Sequence, residues 1–359
     1  MIHPLNQQTL FPAQTAYPQV ETENLPTQEV PLTALELTSG SQPKKPKQFI
    51  LTQRDKQILL SLAQAKYLSV SELIALFWRS AGKSDLGPMR AAQRRLKKMR
   101  DAGLIRVVGQ WMLREQGAQE YIYTLDKAGA EVVSVVFGLD PATIDWKPNS
   151  REQSYLFMNH LLAANDVGVA ITLSCKKQGY SLLTWLHEIE LRKQVMRDYV
   201  ELAQAHAGEP AKRMAVVPDN FFRIKAHSII GHFPAELDRD TESLKKVWGE
   251  KVLAYIQYHA TGAYQKRYGA RNFRLITVTT TQERLLNLKA ATEAVAPGDD
   301  RFYFTTMDKV VTKQPARYTY TNPKTQKLKL YYKTVYNAEL LTQPVWSRAG
   351  DTKLHSLLE

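Results

Sequence analysis

VVPDNFFRIKAHSIIGHFPAELDRDTESLKKVWGEKVLAYIQY, residues 216–258, reads as a β-hairpin followed by a helix. An apolar run ends in Pro218-Asp219. Extended residues follow (Phe221, Phe222, Ile224), then a break over 226–228 and a second extended run over 229–237. Positions i and i+2 of a strand share a face, so Glu236 and Asp238 are expected to project together. Pairing of the two runs brings Asp219 near them. The helix expected over 243–258 adds Lys245, Lys246 and Lys251. Acids gathered at strand ends beside a basic helix suit Mg2+. That ion takes one or two carboxylates, keeps waters, and leaves room for phosphate oxygens. Carboxylates that are merely solvated would give the same pattern.

Outward from this stretch, the totals bound the partner class. The chain has 359 residues and 40.9 kDa, enough for two or three domains with real cores. Its net charge of +13 and pI near 9.5 favour polyanions. The single cysteine, Cys175, excludes an internal disulfide framework and fits a reducing cytoplasm; Ile171 and Leu173 beside it suggest a buried strand thiol. No apolar run is expected to approach the roughly 20 residues of a membrane span, and no secretion signal is expected. A glycine-rich phosphate loop ending in Lys-Ser/Thr, a His-hydrophobic-His metal motif and zinc-type cysteine spacing do not occur in the sequence.

Residues 1–48 read as a disordered arm rich in Pro, Gln and Thr, with Lys44, Lys45 and Lys47 near its end. A domain over 49–138 follows. Thr52 is an N-cap with Asp55 three residues on, before a helix carrying Ile58, Leu59 and Leu62. A second helix opens at Ser71. A third, over 89–102, has the stripe Met89, Ala92, Leu96, Met99 at helical spacing. The remaining surface of this third helix is basic: Arg90, Arg94, Arg95, Lys97, Lys98 and Arg100. Two short β-rich runs, 104–108 and 121–125, then read as a wing hairpin, before a helix over 127–137. That order is a winged helix-turn-helix, whose third helix enters the major groove of double-stranded DNA. Arg90, Arg94 and Arg95 are the base-edge candidates; Lys97 and Lys98 suit phosphate, and Arg100 completes the basic face. A solvated basic face is the competing reading.

After a linker over 139–150, a second domain over 151–310 reads helix, three strands, helix, strand, helix, strand: a mixed α/β sheet with flanking helices. The fold class is therefore α+β or mixed. His160, inside the first of these helices, is expected to be a packing or hydrogen-bonding residue. Residues 201–213 read as a polar insertion. The extension over 311–359 interleaves Lys313, Arg317, Lys324, Lys327, Lys329 and Lys333 with Tyr318, Tyr320, Tyr331 and Tyr332. Basic residues with aromatics suit a nucleic-acid backbone, and tyrosines at a strand edge would look alike.

Two sets of segments, LTQRDKQILLSLAQAKYLSVSELIALF…AAQRRLKKMRDAGLI…YIYTLDKAG and NHLLAANDVGVAI…TWLHEIELR…VPDNFFRI…HFPAELDRDTES…KVLAYIQY…FRLITVT, resemble in their order the replication-relaxation family of plasmids, phages and integrative elements. The similarity covers roughly residues 50–310. It implies a winged helix joined to a C-terminal domain, acting in DNA replication and relaxation, either as a homodimer or with partners in a replication or relaxation complex. The C-terminal domain in turn resembles PD-(D/E)xK nucleases. By that pattern Glu188 is the early acid, Asp219 the PD acid and Glu236 the second acid, with Mg2+ as cofactor. The metal set implied is Glu188, Asp219, Glu236 and Asp238; the catalytic set is Asp219, Glu236 and Lys251. Asp238 stands where the pattern has Lys, so Lys251 is the replacement from the next helix, with Tyr255 one turn on. Loss of nuclease activity, leaving a regulator or replication initiator that binds DNA without cutting it, is the alternative.

Overall fold

The computed structural model describes residues 49–78, 86–108, 120–147, 154–193, 197–202, 211–240, 243–321 and 328–358. The expected N-terminal arm, the tip of the wing and the centre of the polar insertion lie outside them. The chain divides into two compact units, with the boundary between residues 153 and 154.

In the first unit the elements are α1 (Gln53–Ala65), β1 (Leu68–Ser69), α2 (Val70–Phe77), α3 (Leu86–Asp101), β2 (Ile105–Val108), β3 (Ile122–Leu125) and α4 (Lys127–Phe137). Thr52 and Asp55 form the expected capping box at the start of α1. A second one, Ser69 with Glu72, starts α2 one residue before the expected opening at Ser71. Each box pairs backbone N–H groups that the first helical turn leaves without intrahelical partners. The strands form an antiparallel sheet in the order β1-β3-β2. The expected stripe on α3 is real: Ala92, Leu96 and Met99 are buried with Ile58, Leu59, Leu73 and Val133. Gly129 lets α4 touch the chain entering β2, because a Cβ there would lie 1.9 Å from the Leu104 carbonyl oxygen. The expected linker begins by packing on this unit: the buried Lys66 ammonium pairs with Asp145, at 2.5 Å.

The second unit opens with α5 (Tyr155–Gln178), β4 (Ser181–His187), α6 (Glu188–Leu191), β5 (Asp198–Leu202), β6 (Lys212–Val216), β7 (Asn220–Ala226) and β8 (Ile229–Leu237). A π-helical turn at Leu244–Trp248 leads into α7 (Gly249–Ala260). Then come α8 (Ala263–Tyr268), β9 (Leu275–Thr279), α9 (Gln282–Val295), β10 (Phe302–Thr306), α10 (Met307–Val310), β11 (Val311–Thr321), β12 (Leu328–Tyr336), β13 (Trp346–Arg348) and β14 (Leu354–His355). The main sheet has the order β14-β13-β10-β9-β8-β7-β4. Strands β4, β7 and β8 form an antiparallel meander; β8, β9 and β10 are parallel, joined through α7–α8 and α9. The fold is thus mixed α+β.

Strand alternation assigns the faces. Trp185 packs on Gly168 of α5, where an added Cβ would fall 1.7 Å from the indole ring. The next residue, Leu186, belongs instead to the core built with Val252 and Tyr255 of α7 and Leu288 of α9. Successive strand residues face opposite sides, so α5 covers one face and the α7–α9 layer the other.

Three expectations are corrected. Cys175 lies in α5, not in a strand; burial pushes its thiol up to about 12. Two β-strands, β5 and β6, flank what reads as a polar insertion. The region beyond residue 310 is not a separate appendage, since β13 and β14 complete one edge of the main sheet. A further point concerns α5. Over Leu156–Gln178 it is long and apolar enough to cross a bilayer, with mean hydropathy 1.3 in its most apolar window, and 56% of that window is buried inside the protein. A core helix of a folded domain has this composition.

Candidate functional site

Register builds the site. His187, at the end of β4, pairs with Asn220, at the start of β7; Asn220 also pairs with Ala235 of β8. One step further along these antiparallel ladders, Glu188, Asp219 and Glu236 occupy a single row across three neighbouring strand ends. Paired residues share a face, so a row of acids results from three separate segments. His160 reaches the row from α5. Its Nε2 lies 3.1 Å from Asp219 Oδ1. Ligand atoms of His160, Glu188 and Asp219 all fall within 4.8 Å of one another, the separation a single coordinated ion would bridge.

Each acid has its own environment. The Leu237 amide donates to Asp219 Oδ2 at 2.7 Å. Glu188 starts α6 and pairs with Arg192 one turn on. Glu236 is buried between two α7 side chains: Lys251 Nζ donates to one oxygen at 3.0 Å and the Tyr255 hydroxyl to the other at 2.7 Å. Burial pushes the Glu236 carboxyl up to about 7, the Asp219 charge pushes the same way, and Lys251 opposes both. Asp219 moves down: burial works against ionisation, but the His160 hydrogen bond and charge, Lys251 and the Leu237 amide outweigh it. His160 moves up despite burial, because Asp219 binds it and Glu188 and Glu236 add negative potential. Tyr255 is held well above its ordinary range, first by burial and then by Glu236, so its hydroxyl keeps its proton.

The structure therefore brings together Glu188, Asp219, Glu236 and Lys251, and adds His160, whose only sequence cue was its place in an otherwise apolar helix. Asp238 sits differently. It shares a face with Glu236, as expected, but lies just past the end of β8 and turns to α9. Both its oxygens accept from Arg284, from Nε and Nη2, each at 2.9 Å. Thr279 and the Asp240 amide add further hydrogen bonds. The Asp238–Arg284 pair is buried, and Arg284 gives no sequence signal because ordinary helices carry many arginines. The side chains of Lys245 and Lys246 lie outside the described residues.

On α3, Arg90, Arg94, Lys97, Lys98 and Arg100 are exposed. Lys97 and Arg100 both pair with Asp101. Arg95 is committed inward: its Nε donates to Asp55 at 2.8 Å, its Nη2 to the Ile50 carbonyl at 2.8 Å, and its guanidinium lies 4.5 Å from the centre of the Phe49 ring. Asp55 is fully buried, so Arg95 neutralises an interior carboxylate.

The replication-relaxation family profile matches residues 59–272, from α1 through the end of the α7–α8 layer. The chain belongs to the replication-relaxation family. The matched span contains α3 and every residue of the acidic row, with His160, Lys251 and Tyr255. It ends before β9, so Arg284 and the β11–β12 hairpin lie outside what the family profile covers. No curated protein and no solved structure matches the chain.

Proposed function

We propose that this member of the family is a cytoplasmic DNA-binding protein of a mobile genetic element, acting in DNA replication or relaxation through Mg2+-dependent nicking. The observation that carries the reading is the row Glu188, Asp219, Glu236 with Lys251 beside it. The order α5, β4, β7, β8, α7, β9, with β5 and β6 inserted between β4 and β7, supports a PD-(D/E)xK-like reading, with Lys251 supplying the cation from α7 rather than from β8. The order α1, β1, α2, α3, β2, β3 in the first unit supports a winged helix-turn-helix, with Arg90, Arg94, Lys97, Lys98 and Arg100 on the helix that would face DNA.

The two carboxylates fit a hard divalent cation: Glu188 and Asp219 offer the oxygen donors that Mg2+ takes, and His160 holds Asp219. Bound there, the ion would polarise a phosphoryl oxygen and acidify a water. The chain's own residues do the rest. Lys251 offsets negative charge building on the phosphate. Glu236, poised near neutrality, takes or returns a proton at its carboxylate. Tyr255 fixes the Glu236 rotamer, and His160 orients Asp219.

A plasmid-nicking assay with Mg2+ tests this. The wild type converts supercoiled plasmid to the open circle and Asp219→Ala does not; equal nicking by both removes the catalytic reading. One observation favours a non-enzymatic initiator or regulator instead: at the position where the nuclease pattern has lysine, Asp238 is locked to Arg284. Site-specific DNA binding with no Mg2+-dependent nicking is the outcome that selects it.

A further inference from the structure

We propose that Arg192 is a substrate-positioning residue of the acidic row, gripping the DNA phosphate that lies at the metal site. The inference rests on the nicking reading above and adds a residue to which the nuclease pattern gives no role. That pattern has a lysine where Asp238 stands, and Asp238 is locked to Arg284. Among the described residues, three basic side chains pair with the row. His160 is turned to Asp219, and Lys251 to Glu236, with the Lys251 side chain 25% exposed. Arg192 is the one at the rim: its side chain is 49% exposed, while that of its partner Glu188 is 10% exposed.

Nε and Nη2 of Arg192 meet the same carboxylate oxygen, Oε1 of Glu188. A guanidinium carries five N–H groups in a planar fork. Those on Nη1 have no hydrogen-bond partner among the described residues. The pairing with Glu188 therefore aims the fork without saturating it. The backbone beneath it is tied on both sides. The Arg192 amide donates to the Glu188 carbonyl at 2.8 Å, and Arg197 Nη2 donates to the Arg192 carbonyl at 2.8 Å. An ion on Glu188 and Asp219 leaves coordination positions for phosphate oxygens. A guanidinium docked on one of those two carboxylates has the shape that grips a phosphate through parallel N–H bonds. Stability alone gives little reason for the arrangement, because an i,i+4 pair with a half-exposed partner contributes little.

The test uses the full chain as wild type, Arg192→Gln and Arg192→Lys. Mn2+, a paramagnetic probe for the Mg2+ site, is titrated without DNA and its free fraction read by electron paramagnetic resonance. Affinity for a mixed-sequence duplex is measured in Ca2+, with the duplex checked intact after each titration. Arg192→Gln is expected to bind the duplex about tenfold more weakly, as the loss of a charge-assisted hydrogen bond implies. It is expected to bind Mn2+ at least as tightly as the wild type, because a positive charge beside the ion is gone, and to keep its thermal midpoint. Arg192→Lys is expected to fall between the two in duplex affinity, since a point charge replaces the fork. Weakened Mn2+ binding in Arg192→Gln means that the arginine only props Glu188, and overturns the proposal. Duplex affinity equal to the wild type overturns it too. Both results leave the nicking reading standing. A wild type that neither binds Mn2+ nor nicks plasmid removes that reading, and the role of Arg192 falls with it.

Discussion

Asp238 and Glu236 show how two acids on one strand end acquire different chemistry. Asp238 meets a guanidinium that saturates both oxygens, and Glu236 meets one ammonium and one phenol. A buried pair that loses one partner leaves an uncompensated charge, at about 3–5 kcal/mol. Arg284→Leu is therefore expected to lower the unfolding free energy by that amount in guanidinium titrations, and Asp238→Leu combined with Arg284→Leu to recover most of it. A double variant as unstable as the single one means that the loss does not come from an unpaired Asp238 charge. For Glu236 the sign is opposite to that of an ordinary surface carboxylate. Its folded value, about 7, lies above the ordinary 4.5, so folding favours the protonated form. The stabilisation is complete below about pH 4.5 and is lost as pH rises through 7. Glu236→Gln, which cannot ionise, is expected to melt higher than the wild type at pH 8 in chelator, with the gap closing by pH 5. A gap that does not change with pH contradicts the assignment.

At the scale of elements, α3 carries a buried structural face and an exposed basic face, and substitutions test the recognition role proposed for the second. Arg95→Ala strips the buried Asp55 carboxylate of its partner and is expected to cost about 3 kcal/mol or more of stability. Arg90→Ala and Arg94→Ala are expected to leave the melting temperature within a degree or two, because exposed residues away from such features change stability little. In gel-shift titrations the latter two are expected to weaken duplex binding several-fold; affinity unchanged in both would take the recognition role away from α3. The sequence discloses the amphipathic stripe of α3 but not which arginine bends inward, since Arg94 and Arg95 are adjacent and the buried acid lies forty positions earlier. The same contrast holds elsewhere. The hairpin of β7 and β8 is legible because its apolar runs flank a short polar break. Strands β13 and β14, at three and two residues, are too short for any period to show, and their place is set by sheet-edge pairing between distant segments. The row of acids is half legible: type and order are in the sequence, while the shared level comes from register. His160 joins that row only because α5 crosses the far face of the sheet.

At the scale of the whole molecule, buried titratable groups pull in opposite directions as the medium is acidified. Two histidines in the main sheet are neutral in the folded state. Burial drives His187 down to about 3, and burial with the nearby Arg223 charge drives His232 down to about 4. Both lie below the ordinary 6.5. Above that value neither state binds the proton and nothing is lost. Below it the unfolded chain takes up protons that the folded chain refuses, so stability falls from pH 6.5 down through 4. Glu236 works against this loss between pH 7 and 4.5. A shift of one pKa unit corresponds to about 1.4 kcal/mol, so two histidines shifted by more than two units each outweigh one glutamate. Between pH 6.5 and 4.5 these two histidines therefore destabilise the fold, against Glu236 and the raised His160. His232 can be isolated experimentally, because its Nδ1 lies 3.0 Å from the Tyr264 hydroxyl, a contact that asparagine can keep without titrating. His232→Asn is expected to lose less stability than the wild type between pH 7.5 and 4.5, by about 1 kcal/mol or more, in guanidinium unfolding at the two pH values. Equal losses in the two proteins would mean that the His232 ring accepts its proton in the folded sheet, with Tyr264 turning its oxygen toward the imidazolium.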